Sequence, residues 1–298
     1  MNQCQLKASV IIRTYNEARH LPDLLKGIRS QVAPEVDLEI ILVDSGSTDE
    51  TLAIAESFQC RIEHIRKEDF SFGRSLNMGC EAAIGDVLII VSGHCIPADQ
   101  NWLSHIVAPL AAGQAALVYG RQVGNGSSRF SECRIFEKYF PAVNNIPQDG
   151  FYCNNANSAL LRSVWQLNKF DENLTGLEDM YFAKQITKNG MSIGYIADAV
   201  VYHLHDETWG RIKNRFEREA IALQHIMPEV HLDLFDFMRY TVSSVFFDCS
   251  SAFKTGHFMK YFSEIVMYRT AQYWGAYRGN HYHRQMSRQR KERYFYPR

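Results

Sequence analysis

The sequence predicts an α/β protein built on a mostly parallel central sheet. Apolar, strand-like runs alternate with amphipathic segments up to residue 120, and three of these runs end in polar clusters. Strands that alternate with helices form βαβ units, whose buried parallel strands are continuous runs of Val, Ile and Leu. Ligands of such sheets bind beyond the carboxyl ends of the strands. The three polar ends therefore predict one shared crevice, and a nucleotide is its expected ligand.

The first nine elements alternate in type. The run 8–12 is apolar, and Leu24, Leu25 and Ile28 share one side of the segment that follows it. The run Ser47-Thr48-Asp49-Glu50 is typical of a helix start. In chain order we expect a strand at 8–12, a helix at 21–31, a strand at 38–43, a helix at 51–58, a strand at 61–65, a helix at 73–83, a strand at 87–91, a helix at 102–112 and a strand at 115–120.

The second half of the chain has a different pattern. We expect a strand at 157–161, a helix at 179–189 and a strand pair or one bent strand at 192–201. From Trp209 to Ile226 apolar residues recur at helical spacing. The change of pattern predicts an α/β domain at 1–206, which contains the expected nucleotide crevice, and a helical, basic and aromatic region at 207–298.

The composition excludes several protein classes. The 298 residues contain no apolar run of the ~20 residues that span a bilayer, and the N-terminus has no signal-peptide pattern. The seven cysteines are scattered without a Cys-x-x-Cys pair, which argues against a zinc cage and against a disulfide framework. These features favour the reducing cytoplasm.

Charge is distributed unevenly along the chain. Residues 254–298 contain ten Lys or Arg against two Glu, a balance of +8, and the whole chain has a net charge of −1, so residues 1–253 have −9. A basic, aromatic tail favours an anionic membrane surface as its partner and is also a candidate homodimer contact. Nucleic acid is less favoured, because the body is acidic and no nucleic-acid-binding module is recognisable.

Polar residues follow the first two strands. Asp44 lies where a buried strand ends and Gly46 permits a sharp turn, so we expect its carboxylate to bind a ribose or a base. The alternative is that Asp44 and Asp49 cap the next helix, and we expect this role for Asp49. The neighbouring strand end supplies further ligand-binding candidates, which could instead serve packing and a helix start: Tyr15, Asn16 and Glu17.

Two basic residues are further candidates for the crevice. Arg74 could pair with a phosphate, and a surface salt bridge is the equally weighted alternative. His94 follows the fourth strand and could be a metal ligand, a phosphate donor or a core histidine. Imidazole suits softer ions than Mg²⁺, which prefers oxygen ligands.

An acidic pair and a histidine pair complete the candidates. Glu178 and Asp179 open an amphipathic helix, where they could simply complement the helix dipole. We favour Asp179 as a general base, because a glycine- and turn-rich approach suits a carboxylate presented to a cleft. His203 and His205 share a face after the last strand, and we expect His203 to face the site; an edge-strand pair is the alternative.

These motifs resemble the family 2 glycosyltransferases of the GT-A fold over residues 8–206. The family motifs present are Thr14-Tyr15-Asn16-Glu17, Asp44-x-Gly-Ser-x-Asp49, Asn77-x-Gly79 and Gly176-x-Glu178-Asp179. A narrower resemblance to bacterial rhamnosyltransferase-type members rests on four further segments: 72–77, 119–122, 157–159 and 200–205. The order and spacing of the motifs point to the family more strongly than to the sugar.

The resemblance implies an inverting transfer from a nucleoside-diphosphate sugar, with dTDP or UDP as the carrier. The acceptor would be a hydroxyl of a growing surface polysaccharide, capsule or O-antigen, or of a lipid-linked glycan. It implies that Asp179 is the catalytic base and that Glu178 helps to hold donor or acceptor. The expected nucleotide-sugar-binding residues are Arg13, Tyr15, Asn16, Glu17, Asp44, Ser45, Arg74, Ser92, Gly93 and His94.

The chain departs from the family at the fourth strand end. Ser92-Gly93-His94 stands in place of the Asp-x-Asp signature that holds a divalent ion. Dependence on Mg²⁺ or Mn²⁺ is therefore in question, and His94 and His203 are the candidate metal ligands. Without an ion, His94, Arg74 or His203 would have to stabilise the diphosphate charge.

Two other functions compete with this interpretation. A non-catalytic carbohydrate-binding or scaffold protein is disfavoured by the intact Glu178-Asp179 pair. A nucleotidyltransferase would release pyrophosphate, and it normally has a glycine-rich phosphate loop near the first strand, which this sequence lacks. We expect a cytoplasmic enzyme that is peripheral on the inner membrane face.

Overall fold

A computed structural model describes residues 5–282 and 288–296 of the chain. Cys4 and the parts of the basic tail at 283–287 and 297–298 lie outside the described residues. The chain divides into two compact units. The first comprises Met1–Asn125, Tyr139–Asn173 and Glu178–Leu204, and the second comprises Gly126–Lys138, Leu174–Leu177 and His205–Arg298.

The first unit contains one eight-stranded sheet in the order β3-β2-β1-β4-β7-β6-β8-β5. Its strands are β1 (Leu6–Thr14), β2 (Val36–Asp44), β3 (Arg61–His64), β4 (Val87–Ser92), β5 (Cys95–Pro97), β6 (Leu117–Val123), β7 (Asn157–Leu161) and β8 (Ile193–His203). β3, β2, β1 and β4 are parallel to one another, as the βαβ pattern predicted. The rest of the sheet is mixed: β7 is antiparallel to both neighbours, β6 and β8 are parallel, and β5 is antiparallel to β8.

Helices of the first unit connect these strands. They are α1 (Leu21–Arg29), α2 (Thr51–Ser57), α3 (Phe72–Ala82), α4 (Trp102–Ala111), α6 (Arg162–Leu167) and α7 (Glu178–Lys188), with α5 (Phe130–Tyr139) assigned to the second unit except for its last residue. The predicted face of α1 is buried through Leu24, Leu25 and Ile28, which join the apolar residues of β1, β2 and β4 in the main core.

The sequence did not predict three elements of the structure: β5, α5 and α6. The predicted strand pair or bent strand at 192–201 is one strand, β8, whose pairing with β6 changes register between Gly120 and Arg121. The bent strand is therefore the correct alternative.

The second unit is helical in its described part. Besides α5 it contains α8 (Trp209–Ile226), α9 (Leu234–Lys254), α10 (Phe258–Asn280) and α11 (Arg288–Phe295). α10 packs on α8 and α9. Side chains at Gly275 and Gly279 would collide with backbone carbonyls of Lys213 and Glu217 in α8, so these glycines permit close packing of the two helices. No described helix has the length and apolar character needed to cross a membrane.

Candidate active site

The carboxyl ends of β1, β2 and β4 lie side by side. In the register of the sheet Thr14 is opposite Asp44, and Arg13 is opposite Ser92. Because the three strands are parallel, the segments that follow them leave the sheet at the same edge. The donor-binding residues predicted in these segments are therefore neighbours.

Asp44 is buried and enclosed by its own turn. Its carboxylate accepts the N–H groups of Gly46 and Ser47, each at 2.9 Å, and hydroxyl hydrogen bonds from Thr14 and Ser47. Gly46 has φ +93, a conformation that glycine adopts without steric cost. The buried hydroxyl of Ser45 donates to the Thr14 carbonyl at 3.2 Å. Asp44 thus fixes this turn, and its contact with a nucleoside stays a prediction.

Hydrogen bonds join the segment after β1 to the segment after β2. Asn16 has φ +57, and its side-chain oxygen accepts the Thr48 N–H at 2.8 Å. The Glu17 N–H donates to the Thr51 hydroxyl at 2.8 Å. Asp49 accepts the Thr51 N–H at 3.0 Å and the Ala18 N–H at 3.1 Å, but the N-cap residue of α2 is Glu50, so Asp49 binds the first N–H of the helix from one position before the cap. These bonds fix the backbone on which the predicted binding residues stand.

The fourth strand end meets the first through His94. Its Nδ1 lies 3.0 Å from Glu17 Oε1. A Cβ atom at Gly93 would lie 2.9 Å from Glu17 Cγ, so only glycine leaves room for this approach without displacement. The Ser92 N–H donates to the Ala156 carbonyl at 3.2 Å, which joins this turn to the segment before β7.

His203, the last residue of β8, is stacked on His94. The ring centroids are 5.1 Å apart and the planes differ by 24°. His203 Nδ1 lies 2.6 Å from Gln122 Oε1, and the Gln122 amide donates to Asn154 Oδ1 at 2.9 Å. Glu17 and Gln122 each present an acceptor oxygen to Nδ1 of one ring, and a neutral imidazole that donates through Nδ1–H has its lone pair on Nε2. Histidines that bind metals are commonly oriented in this way.

Asp179 is the second residue of α7 and is buried. Its two oxygens accept one backbone N–H each, from Asn155 and Met180, both at 2.8 Å. Burial, followed by the adjacent Glu178 charge, raises the pKa of Asp179 to about 7, although these N–H groups and Arg13 act in the opposite direction. A carboxylate with this pKa can take up a proton near neutral pH.

Arg13 joins the end of β1 to the start of α7. Its guanidinium forms an ion pair with Glu178 at 3.1 Å and lies 4.9 Å from the centre of the Phe72 ring. Together with the bonds of Glu17 to His94 and of Asn155 to Asp179, this ion pair shows that the segments near positions 15, 44, 94 and 179 converge at one edge of the sheet.

Two of the predicted nucleotide-sugar-binding residues, Tyr15 and Arg74, contact charged side chains. The half-buried Tyr15 ring has the ammonium of Lys67 5.6 Å from its centre. Arg74 donates to Glu172 at 2.8 Å and lines a surface cavity of about 620 Å³. Arg74 thus forms a partly exposed salt bridge, as the alternative interpretation expected, and its pairing with phosphate stays a prediction.

The segment before β7 contributes a residue to the site that the sequence did not predict. Asn155 is buried, its N–H binds Asp179, and its Oδ1 accepts the Ser158 hydroxyl at 2.8 Å. Among the described residues its side-chain Nδ2 has no hydrogen-bond partner. Buried amide groups nearly always have one, so this donor is available to a ligand. The only sequence signal was the pair Asn154-Asn155 immediately before a strand.

The family comparison agrees with these motifs. A sequence profile described as glycosyl transferase family 2 matches residues 9–166, more than half of the chain. The O-antigen chain rhamnosyltransferase RfbN of Salmonella typhimurium is 29% identical over 216 residues, which cover 68% of this chain and 68% of RfbN. The poly(ribitol-phosphate) β-N-acetylglucosaminyltransferase TarS of Staphylococcus aureus is 24% identical over 242 residues, or 78% of this chain and 39% of TarS.

Solved structures share the fold. The mannosyltransferase PcManGT from Pyrobaculum calidifontis, in complex with GDP-Man and Mn²⁺, has a TM-score of 0.60 at 17% identity, covering 90% of this chain and 85% of PcManGT. S. aureus TarS 1–349 in complex with UDP-GlcNAc has a TM-score of 0.54 at 15% identity, with 95% of each chain covered. The predicted GT-A fold is therefore confirmed. The profile match, with the motifs in their expected order, shows that the chain belongs to glycosyl transferase family 2.

Proposed function

We propose that this chain is an inverting glycosyltransferase that transfers a sugar from a nucleoside-diphosphate sugar to a hydroxyl of a bacterial surface polysaccharide, with Asp179 as the catalytic base. One observation supports this most: Asp179 is buried, held by two backbone N–H groups, and has a pKa of about 7. The base of such a transfer must ionise near physiological pH and must have a fixed position.

The transfer needs one proton acceptor and one leaving group. Asp179 takes the proton of the acceptor hydroxyl while the hydroxyl oxygen forms a bond to the anomeric carbon of the donor. The bond between that carbon and the diphosphate breaks on the opposite side, and the nucleoside diphosphate leaves with the bonding electrons. Because attack and departure occur on opposite faces, the anomeric configuration is inverted. Glu178, paired with Arg13, helps to position donor or acceptor.

The donor would occupy the crevice at the ends of β1, β2 and β4. Tyr15, Glu17 and Asp44 are proposed to contact the nucleoside, and the other predicted residues line the path to the diphosphate: Arg13, Asn16, Ser45, Arg74, Ser92, Gly93 and His94. We add Asn155, whose buried amide Nδ2 would donate a hydrogen bond to the nucleotide sugar or to the acceptor glycan. The UDP-GlcNAc complex of TarS supports UDP as the nucleotide of the donor, and dTDP stays the alternative.

His94 and His203 fit a divalent ion. Their stacked rings and oriented Nε2 atoms provide two nitrogen ligands, and oxygens of the diphosphate would complete the coordination. Two imidazoles favour Mn²⁺ over Mg²⁺. When bound, such an ion neutralises the charge that develops on the leaving diphosphate. The Mn²⁺ complex of PcManGT supports this proposal.

The relatives support a surface glycan as the acceptor, either free or linked to a lipid. RfbN acts on the O-antigen chain and TarS on poly(ribitol phosphate). We propose further that the enzyme works at the inner face of the membrane. The division into a catalytic domain at 1–206 and a helical region at 207–298, the contact of residues 254–298 with anionic lipid and the homodimer remain predictions.

Thermal unfolding in the presence of nucleoside diphosphates tests the donor site. We expect UDP or dTDP to raise Tm, and Mn²⁺ to increase that shift. In His94→Ala and His203→Ala the nucleotide should still raise Tm, but the additional shift with Mn²⁺ should disappear. His64→Ala, at an exposed position of β3, is the matched control. A Mn²⁺ effect that survives both substitutions contradicts the proposed ligands.

Product analysis tests the reaction itself. We expect donor-dependent release of a nucleoside diphosphate, and an anomeric configuration in the product opposite to that of the donor. Release of pyrophosphate would instead identify a nucleotidyltransferase. Binding of the donor without any release, with acceptor present, would identify a non-catalytic binding protein.

A further inference from the structure

The turn between α9 and α10 exposes large apolar side chains. We call residues 253–262 the hairpin tip. Phe253 is 72% exposed and Met259 is 88% exposed, and Phe262 is exposed beside them. The Phe258 ring lies 6.5 Å from that of Phe253 and 5.3 Å from that of Phe262, so the aromatic side chains form one cluster. The hairpin tip is therefore a continuous apolar surface.

The hairpin tip is an ordered corner. Gly256 has φ +73, and the His257 N–H donates to the Ala252 carbonyl at 2.8 Å, so the last turn of α9 is closed. This arrangement is the common way in which a glycine ends a helix. α10 begins two residues later, at Phe258. The aromatic side chains are thus held by two helix ends.

The charge of the hairpin tip is entirely positive. Lys254 and Lys260 are exposed, and the sequence contains no Asp or Glu between Asp248 and Glu264. Both flanking carboxylates are engaged within the second unit. Asp248 binds the Arg269 guanidinium at 2.7 and 3.0 Å and the Ser131 hydroxyl at 2.7 Å, and Glu264 accepts the Phe130 N–H at 2.7 Å.

An exposed apolar stripe continues from the hairpin tip along α9. Phe235, Met238, Val242 and Phe246 are exposed at the three- and four-residue spacing that places them on the same helix face as Phe253. From Phe235 to Phe253 the stripe is roughly 27 Å long at 1.5 Å per residue. On another face of α9, Asp248 and Ala252 are buried.

We propose that the hairpin tip and the stripe of α9 form a docking surface for an anionic lipid bilayer. The aromatic and methionine side chains would enter the boundary between headgroups and acyl chains, and Lys254 and Lys260 would contact lipid phosphates. The inference rests on the proposed function in one respect, because a lipid-linked acceptor would require the enzyme to work at a membrane.

At the hairpin tip, charge distinguishes a bilayer from a second copy of the chain. A two-fold symmetric contact through the hairpin tip would bring the same patch of two copies together. Lys254 and Lys260 of one copy would then face those of the other without an acidic residue of the hairpin tip to neutralise them. An anionic bilayer supplies the missing negative charge.

Vesicle flotation with the full chain tests the proposal without any substrate. We expect the protein to float with vesicles of phosphatidylcholine and phosphatidylglycerol, and much less with phosphatidylcholine alone. The triple variant Phe253→Ser, Met259→Ser, Phe262→Ser should lose binding to both. The matched control is Val143→Ser with Leu167→Ser, two similarly exposed apolar side chains of the first unit, which should leave flotation unchanged. Circular dichroism checks that each variant is folded.

A second variant tests how much the two lysines contribute to vesicle binding. Lys254→Glu with Lys260→Glu should weaken binding to anionic vesicles about tenfold or more, and added salt should reduce the difference. Lys26→Glu with Lys188→Glu, also exposed, is the charge-matched control. Absence of flotation, flotation that survives both sets of changes, or a dimer that the triple variant dissociates without any vesicle binding would overturn the proposal. Nucleoside diphosphate release, measured separately, reports on the proposed activity whichever result is obtained.

Discussion

Asp44 and Asp179 are both buried carboxylates of the candidate site, and they differ in the groups that surround them. Asp44 accepts four hydrogen bonds, all from its own turn and from the neighbouring Thr14. Asp179 accepts two, both from backbone N–H groups, and has the acidic side chain of Glu178 beside it. Hydrogen bonds from its own turn and from Thr14 therefore use all the lone pairs of the Asp44 carboxylate. The Asp179 carboxylate has lone pairs that accept no hydrogen bond from the described part of the chain, and its pKa is raised.

In the sequence both residues are simply acids at the end of a strand or the start of a helix. Their surroundings in the structure give them two different roles. A carboxylate that saturates the donors of a turn fixes the backbone that a ligand contacts. A carboxylate that is buried beside a like charge holds a proton more strongly and can act as a base. We therefore expect changes at Asp44 to affect stability and donor affinity, and changes at Asp179 to affect the rate of transfer.

The largest effect is expected for Asp179→Asn. The amide has the same size as the carboxylate but cannot take the proton of the acceptor hydroxyl. We therefore expect kcat to fall about 10³-fold, within the usual range for a lost general base. Donor affinity, measured by calorimetry, should change little. Asp149→Asn, at an exposed loop position, is the control and should retain full activity. Retention of wild-type kcat in Asp179→Asn would exclude this residue as the base.

A smaller and different effect is expected for Asp44→Asn. The amide has one oxygen instead of two and adds a donor that faces the N–H groups of Gly46 and Ser47. We expect the free energy of unfolding to fall by about 1–3 kcal/mol, the typical cost of an unsatisfied buried group. Donor affinity should weaken, whereas kcat at saturating donor should stay within severalfold of wild type. Urea unfolding and donor titration provide the measurements.

Asp37→Asn is the matched control for that substitution, because Asp37 is an exposed residue of the same strand, β2. It should leave both stability and donor affinity unchanged. If Asp44→Asn instead lowered kcat while unfolding normally, the distinction drawn between the two carboxylates would be wrong.

The first half of the site could be predicted because its determinants are local. The apolar runs of β1 and β2 and the turn residues after them fix parallel strands, and parallel strands bring Thr14 opposite Asp44. The acidic pair at 178–179 was also recognisable, since it opens an amphipathic helix. These features depend on neighbours in the sequence.

The remaining parts of the site depend on contacts between distant segments. Gln122 reaches His203 and Asn154 only because β6 is placed between β7 and β8, a strand order that periodicity does not encode. Asn155 reaches Asp179 through a contact between the segment before β7 and the start of α7, which are 24 residues apart in the sequence. The stripe of α9 illustrates the converse limit: helical spacing identifies an apolar face, but it does not reveal whether another element covers that face.

The pH dependence of the rate provides the finest test of the environment of Asp179. Because the base must be ionised, kcat should rise with pH through the pKa of Asp179, near 7, and level off above it. Glu178→Gln removes the like charge that helps to raise this pKa and leaves Arg13 without its anionic partner. Both changes favour the ionised form of Asp179, so the midpoint of the profile should move to lower pH, even if the loss of a positioning group lowers the plateau. A pH–rate profile of the variant with an unchanged midpoint would mean that burial alone raises the pKa, and that Glu178 serves only to bind Arg13.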